Sequence, residues 1–368
     1  MTDPRVDAVA KVLVNYSVDV KPGQLVRITG SPEGAPLILA LCRRVLEVGG
    51  HPYLNVGLEE AMEVILRFAS DAQLDYLPSF SKTIVEAIDA DITVWTEANT
   101  RRLTSIDPAR MSRRVASRRE LNDRFFERVG NKELHWVGTQ HPTNAVAQDA
   151  DMSLVEFEDF LYGACRVNEE DPIAAWQDVS RRQARLVDYL SGHSRIHVVG
   201  PDTDLHFATK GRVWENCDGR QNFPDGEIFT GPIEDSVEGT IRYTFPACYF
   251  GREVEDVRLT FKKGKVVEAS AAKNEALLKE MLDVDEGARF VGEFAFGTNP
   301  GIQRFTKNTL FDEKIGGTIH LALGKGFPET GSKNTSAIHW DMVCDLRKEG
   351  KVEVDGETFV ESGKILVG

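Results

Sequence analysis

The chain has 368 residues, 41% of them hydrophobic and 28% charged, a length and mixture that suit two folded domains and sit far from disordered or fibrous classes. Fifty-eight acidic against 44 basic side chains leave a formal charge of -14, which weighs against a nucleic-acid partner because phosphate binding needs concentrated positive charge. Five cysteines, at positions 42, 165, 217, 248 and 344, form no CxxC pair, so neither a disulfide scaffold nor a thiolate zinc knuckle is indicated and a reducing compartment fits. With no apolar signal region and no run of membrane-spanning length, the expectation is a cytoplasmic protein without a membrane partner.

From Gln24 to about Ile196, short apolar runs alternate with longer segments of helical period, the pattern of strands joined by crossover helices. Gln24–Thr29 reads as a strand, Gly30–Gly34 as a loop, and Pro36–Val48 as a helix stopped by Gly49-Gly50. Pro52–Val56, Ile92–Trp95 and Leu134–Val137 follow as strands, and Pro108–Val129 as an amphipathic helix. Ser153 with Glu156 forms a capping box, after which Leu154, Phe157, Leu161 and Ala164 share one helical face. The loop GSPEGAP at 30–36 lacks the GxGxxG spacing and a Walker lysine, and Pro32 and Pro36 remove two donors, so it reads as a structural turn rather than a nucleotide cradle.

From Gly200 onward the pattern shortens and becomes strand-like. Ile241, Tyr243 and Phe245 alternate with Arg242 and Thr244, and Val257, Leu259 and Phe261 do so before Lys263-Gly264. Asn274–Leu282 reads as a short helix, and Val352–Phe359 as a hairpin around Asp355-Gly356. The fold class expected is two-domain α/β: an amino-terminal α/β domain over 1–190 with a largely parallel sheet, and a carboxy-terminal mixed α+β domain over 191–368.

Chemistry concentrates in three segments of the second half, VGEFAFGTNP at 291–300, TIHLALGKGFP at 318–328 and SAIHWDMV at 336–343. A period of two sets His320 with Thr318 and Ala322, opposite Ile319, Leu321 and Leu323. His339 and Asp341 likewise share a face opposite Ile338, Trp340 and Met342, so an imidazole and a carboxylate can meet on one ion. Glu293 lies among Val291, Phe294, Ala295 and Phe296, where an isolated carboxylate is costly to bury unless it is paired or metal-bound; pairing with Arg304 or Lys307 is the ordinary alternative. Glu227 opens an apolar run after the turn Pro224-Asp225-Gly226. Two histidines and three carboxylates exceed the needs of one tetrahedral zinc and can supply two adjacent divalent ions, a centre suited to hydrolysis.

Taken together, PDGEIFTGP at 224–232, GEFAFGTNPG at 292–301, LFDEKIGGTIHLALG at 310–324 and SAIHWDMV at 336–343 resemble the signature blocks of the thermophilic-type metalloaminopeptidases of peptidase family M29. LVRITGSPEGAPL at 25–37 and WVGTQHPT at 136–143 extend the resemblance over nearly the whole chain. The resemblance implies a two-domain, homodimeric exopeptidase with two divalent metals, zinc, cobalt or manganese, bound by Glu227, Glu293, His320, His339 and Asp341. It also implies a substrate peptide entering with a free amino terminus. One position departs: Phe327 stands where the family usually has tyrosine, which removes a phenolic oxygen from metal or oxyanion. Glu313 in LFDEKIGG is a candidate general base, with Glu293 as the competing proton shuttle. A metal-stabilised peptide-binding protein and a nucleotide-dependent α/β enzyme are the other function classes to weigh.

Overall fold

The computed structural model describes residues 3–249 and 251–367. The chain groups into two compact units, the first comprising residues 1–173 and 219–223 and the second comprising 174–218 and 224–368.

In the first unit five strands form one sheet in the order His51–Val56, Leu25–Gly30, Ala90–Trp95, His135–Gln140, Asn222–Phe223, and every pairing is parallel. Parallel neighbours need crossover connections, and the helical segments between the strands supply them, beginning with Ala35–Glu47. The fifth strand comes from a segment that returns to this sheet far along the chain. The loop after the first strand is governed by packing: a Cβ on Gly30 would lie 2.9 Å from Ile38 Cδ1, and one on Gly34 would lie 2.8 Å from Thr96 Cγ2. The segment read as one helix over 108–129 is two, Pro108–Ala116 and Arg119–Gly130. At the break Ser117 Oγ donates to the carbonyls of Arg114 and Leu74, a local side-chain bond that competes with helix continuation and leaves no mark in the hydrophobic period. The Ser153/Glu156 capping box starts the helix Leu154–Ala164 in the expected reciprocal geometry.

Among the described residues the second unit holds two large antiparallel sheets and a two-stranded antiparallel ribbon, Ala247–Tyr249 with Arg252–Val254. The larger runs Lys265–Ser270, Arg258–Lys262, Glu238–Arg242, Thr203–Ala208, Arg195–Gly200, Lys351–Val354, Glu357–Glu361, Lys364–Ile365. The smaller runs His339–Asp345, Thr318–Gly324, Val291–Gly297, Glu227–Thr230, Glu215–Cys217. Their facing apolar side chains make one core, in which Val198, Leu205, Phe207 and Ile241 meet Phe294, Ile319, Leu321 and Trp340. The Phe207 and Phe294 rings lie 4.7 Å apart at its centre. The helix Glu275–Leu282 packs Leu278 and Leu282 into the same core. The hairpin turn at Asp355-Gly356 has φ of 50° and 93°, the left-handed pair that a two-residue turn of this twist requires. Among the described residues, no helix is long and apolar enough to cross a membrane.

Candidate metal centre

The smaller sheet turns one face to the aromatic core and the other to a cluster of ionisable side chains. The alternation EFAFG and HLALG explains the division, because large residues point to the core and Ala295, Gly297, Ala322 and Gly324 leave room on the opposite face. Register then sets the polar residues in rows. Glu293 lies opposite Ala322, which lies opposite Asp341 on the next strand, so two carboxylates flank one methyl group. His320 pairs with Ala295 and Val343 one step along, and His339 pairs with Gly324. Glu227 enters from the fourth strand, opposite Gly297. Its approach is set by Gly226, whose φ is 120° and where a Cβ would meet Asn299 Cβ at 2.8 Å.

All five side chains converge. His320 Nε2 lies 3.6 Å from Glu227 Oε2 and 3.5 Å from Glu293 Oε1, while His339 Nε2 lies 3.2 Å from Glu293 Oε2 and 3.4 Å from Asp341 Oδ1. Donors held about 2.1 Å from one tetrahedral ion sit roughly 3.4 Å apart, so these spacings suit a shared cation better than direct hydrogen bonds. The buried atoms Glu227 Oε2, His320 Nδ1, His320 Nε2 and Asp341 Oδ1 have no hydrogen-bond partner, an expensive condition unless an ion satisfies them. His339 Nδ1 donates to the Lys325 carbonyl over 2.7 Å, which leaves Nε2 as the free lone pair facing the cluster. Glu293 pairs with these histidines, whereas Lys307 pairs with Glu253.

The cluster's own charges call for positive charge. Burial alone would lower both imidazoles, yet Asp341 and Glu293 push His339 up to about 12, and Glu293, Glu227 and Asp341 push His320 up to about 9. At Asp341 burial works upward, but the imidazole of His339 outweighs it and holds the carboxyl at about 2. Glu227 goes the other way, raised to about 8 by burial against the attraction of Lys314. A divalent ion would stand where these protons otherwise collect.

Two residues complete the picture. Glu313 comes within ligand reach of His320 and Asp341. Lys314, fully buried, contacts Glu313 and places Nζ 3.2 Å from Glu227 Oε1, so Glu227 offers one oxygen to the ammonium and the other to the cluster. Burial lowers the Lys314 ammonium, but Glu227 and Glu313 outweigh it and hold its pKa well above the ordinary value. Sequence reasoning did not single out Lys314, and the only signal available was its position in the block LFDEKIGG. The Phe327 ring stacks edge-on against His339 at 5.1 Å and against Phe229 at 5.2 Å, giving the cluster an apolar wall on that side.

The family model described as thermophilic metalloprotease (M29) matches residues 2–364. Aminopeptidase 2 of Geobacillus stearothermophilus is 29% identical over 96% of this chain and 95% of its own, and aminopeptidase T of Thermus thermophilus is 26% identical over 97% and 95%. The structure of wild-type AmpT from Thermus thermophilus superposes with a TM-score of 0.86 at 24% identity, covering 99% of both chains. A 2,5-dihydroxypyridine dioxygenase from Pseudomonas putida shares the fold at a TM-score of 0.62 and 14% identity, over 99% of this chain and 97% of that one; one fold therefore carries different chemistries, and the site must decide between them. With a family model spanning nearly all of its length and a buried cluster of metal-ligating side chains, the chain belongs to the thermophilic metalloprotease family M29.

Proposed function

We propose that the protein is an aminopeptidase that hydrolyses the amino-terminal residue from peptides, with Glu227, Glu293, His320, His339 and Asp341 holding two divalent ions, zinc in the first instance and cobalt or manganese as alternatives. The observation that carries this reading is the convergence of the five side chains from four adjacent strands, with buried ligand atoms left unsatisfied. When bound, the ions polarise the scissile carbonyl and make a water molecule nucleophilic. Glu313, on the rim of the cluster, takes the proton from the attacking water and returns it to the leaving nitrogen; Glu293 is the competing shuttle. Lys314 orients both Glu313 and Glu227 through its ammonium. That the relatives are aminopeptidases supports a peptide with a free amino terminus as the substrate. A homodimer belongs to this reading and rests on the resemblance, whereas a cytoplasmic location rests on the scattered, free cysteines, which fit a reducing compartment.

The absence of a phenol at Phe327 favours one second reading, a metal-loaded protein that binds peptides without cleaving them. Metal titration with free-amino and amino-blocked peptides, read out as released amino acid, separates the two. Metal-dependent release confined to the free-amino peptide is the expected result. Binding without release would overturn hydrolysis, and full activity with unchanged metal content in His320→Ala, His339→Ala and Asp341→Ala would overturn the ligand assignment.

A further inference from the structure

The exposed face of the larger sheet carries a second constellation of ligating side chains. Strand register lays four residues side by side: Glu238 opposite His206, His206 opposite His197, and His197 opposite Glu353. These residues come from four different strands, and alternation turns all of them away from the core that holds Leu205, Phe207, Ile196 and Val198. Asp204, two residues before His206, stands on the same face.

His197 Nε2 lies 2.9 Å and His206 Nε2 3.1 Å from the same oxygen, Asp204 Oδ1. The two rings stack with centroids 3.8 Å apart, a spacing that directly opposed residues of an antiparallel pair allow. On its other side, His197 Nδ1 lies 3.2 Å from Glu353 Oε2, and the second oxygen of Glu353 is held by Lys351 Nζ at 2.5 Å. A carboxylate only accepts, so Nδ1 of His197 carries a proton, and in the neutral ring Nε2 turns its lone pair toward Asp204. That contact closes only with a proton or a metal ion between the two atoms. A proton answers one imidazole at a time, and His206 can meet the carboxylate through Nε2–H as a neutral ring. One metal ion answers all three donors at once, and Glu353 already plays the outer carboxylate that aligns a ligating histidine.

We propose that His197, His206 and Asp204 form an accessory site for a borderline transition-metal ion such as zinc, separate from the cluster around His320. Donor separations near 3 Å match neighbouring positions on an ion with bonds of about 2.1 Å, for which right-angled donors sit roughly 3.0 Å apart. Two imidazoles select zinc, nickel, cobalt or copper over magnesium and calcium, which prefer oxygen alone. The open cleft beside the histidines, about 420 Å³ and bordered by Arg195, Ser236 and Asp355, leaves the remaining positions to water. The ion ties together two strands that are already paired, so its contribution is local and the peptidase cluster does not depend on it.

The test is equilibrium dialysis of the intact chain at micromolar free zinc, with zinc counted per chain. The wild type is expected to hold one equivalent more than His206→Gln, with the same peptidase turnover in both. Glu353→Gln keeps all three donors and is expected to bind the accessory ion about 10- to 100-fold more weakly, the usual cost of losing an outer carboxylate. His320→Ala should lose zinc from the other cluster while retaining this equivalent. Circular dichroism checks that the variants fold as the wild type does. Equal zinc content in wild type and His206→Gln, or displacement of the extra equivalent by equimolar calcium, overturns the proposal.

Discussion

Replacing Lys314 by Met removes the one ammonium buried among the carboxylates while keeping an unbranched apolar stem. In the metal-free protein, Glu227 loses a partner at 3.2 Å and Glu313 loses its direct contact. Both carboxylates are almost fully enclosed, with side-chain exposures of 6% and 14%. At a pH above about 8, where Glu227 carries its charge, breaking a buried pair from one side costs about 3–5 kcal/mol, because the remaining charge has neither partner nor water. A bound divalent ion partly replaces the lost charge at Glu227, so the loss should shrink when the protein is saturated with zinc. Stated as linkage, Lys314→Met lowers the stability of the metal-free form more than that of the loaded form and thereby tightens apparent metal binding. The assay is urea unfolding followed by tryptophan fluorescence, with and without saturating zinc; Trp214 and Trp340 report on the second unit. A destabilisation below about 1 kcal/mol in the metal-free protein, or an equal loss in both forms, would refute the electrostatic role and leave Lys314 as a packing residue.

Asp285→Ala should cost about 1–2 kcal/mol at neutral pH, since its carboxylate accepts from the backbone of Ala288 and Ala337 and from Ser336 Oγ and so ties the segment before His339 to a helical turn. The Ala337 amide leads in holding that carboxyl below the usual range; a depressed folded pKa gives stability that is present above the unfolded value and lost as pH falls through the folded one, so the gap between wild type and variant should narrow as pH falls below the ordinary carboxylate range. A constant difference across that range would contradict the linkage. Phe327→Tyr restores a phenol beside His339 and is expected to raise turnover with little change in the urea midpoint; unchanged turnover would show that the position is indifferent. Gly226→Ala forces a side chain onto Asn299 at a φ of 120° and should cost about 1–3 kcal/mol, with weaker zinc retention because Glu227 follows directly; wild-type retention would show that the turn does not aim the carboxylate.

Local patterns identified much of the site. A period of two turned His320, and the pair His339 and Asp341, away from the apolar residues beside them, and Glu293 stood out because a carboxylate has no reason to sit in a greasy run. Turn chemistry marked the Asp355-Gly356 hairpin, and the reciprocal Ser153 and Glu156 bonds marked a helix start, because both depend on residues a few positions apart. Glu227 was weaker from its own surroundings, and its weight came from the block that contains it.

Other features exist only in three dimensions. Lys314 next to Glu313 reads as an exposed ion pair until the fold buries both against Glu227, nearly ninety positions earlier in the chain, and a sequence does not display burial at that separation. The row Glu238, His206, His197, Glu353 is set by strand order and register, which depend on pairings between distant segments, and a slip of one residue would turn each side chain to the opposite face. Alternation within one strand thus settles which way a residue points, whereas the company it keeps is decided by which strands lie beside it.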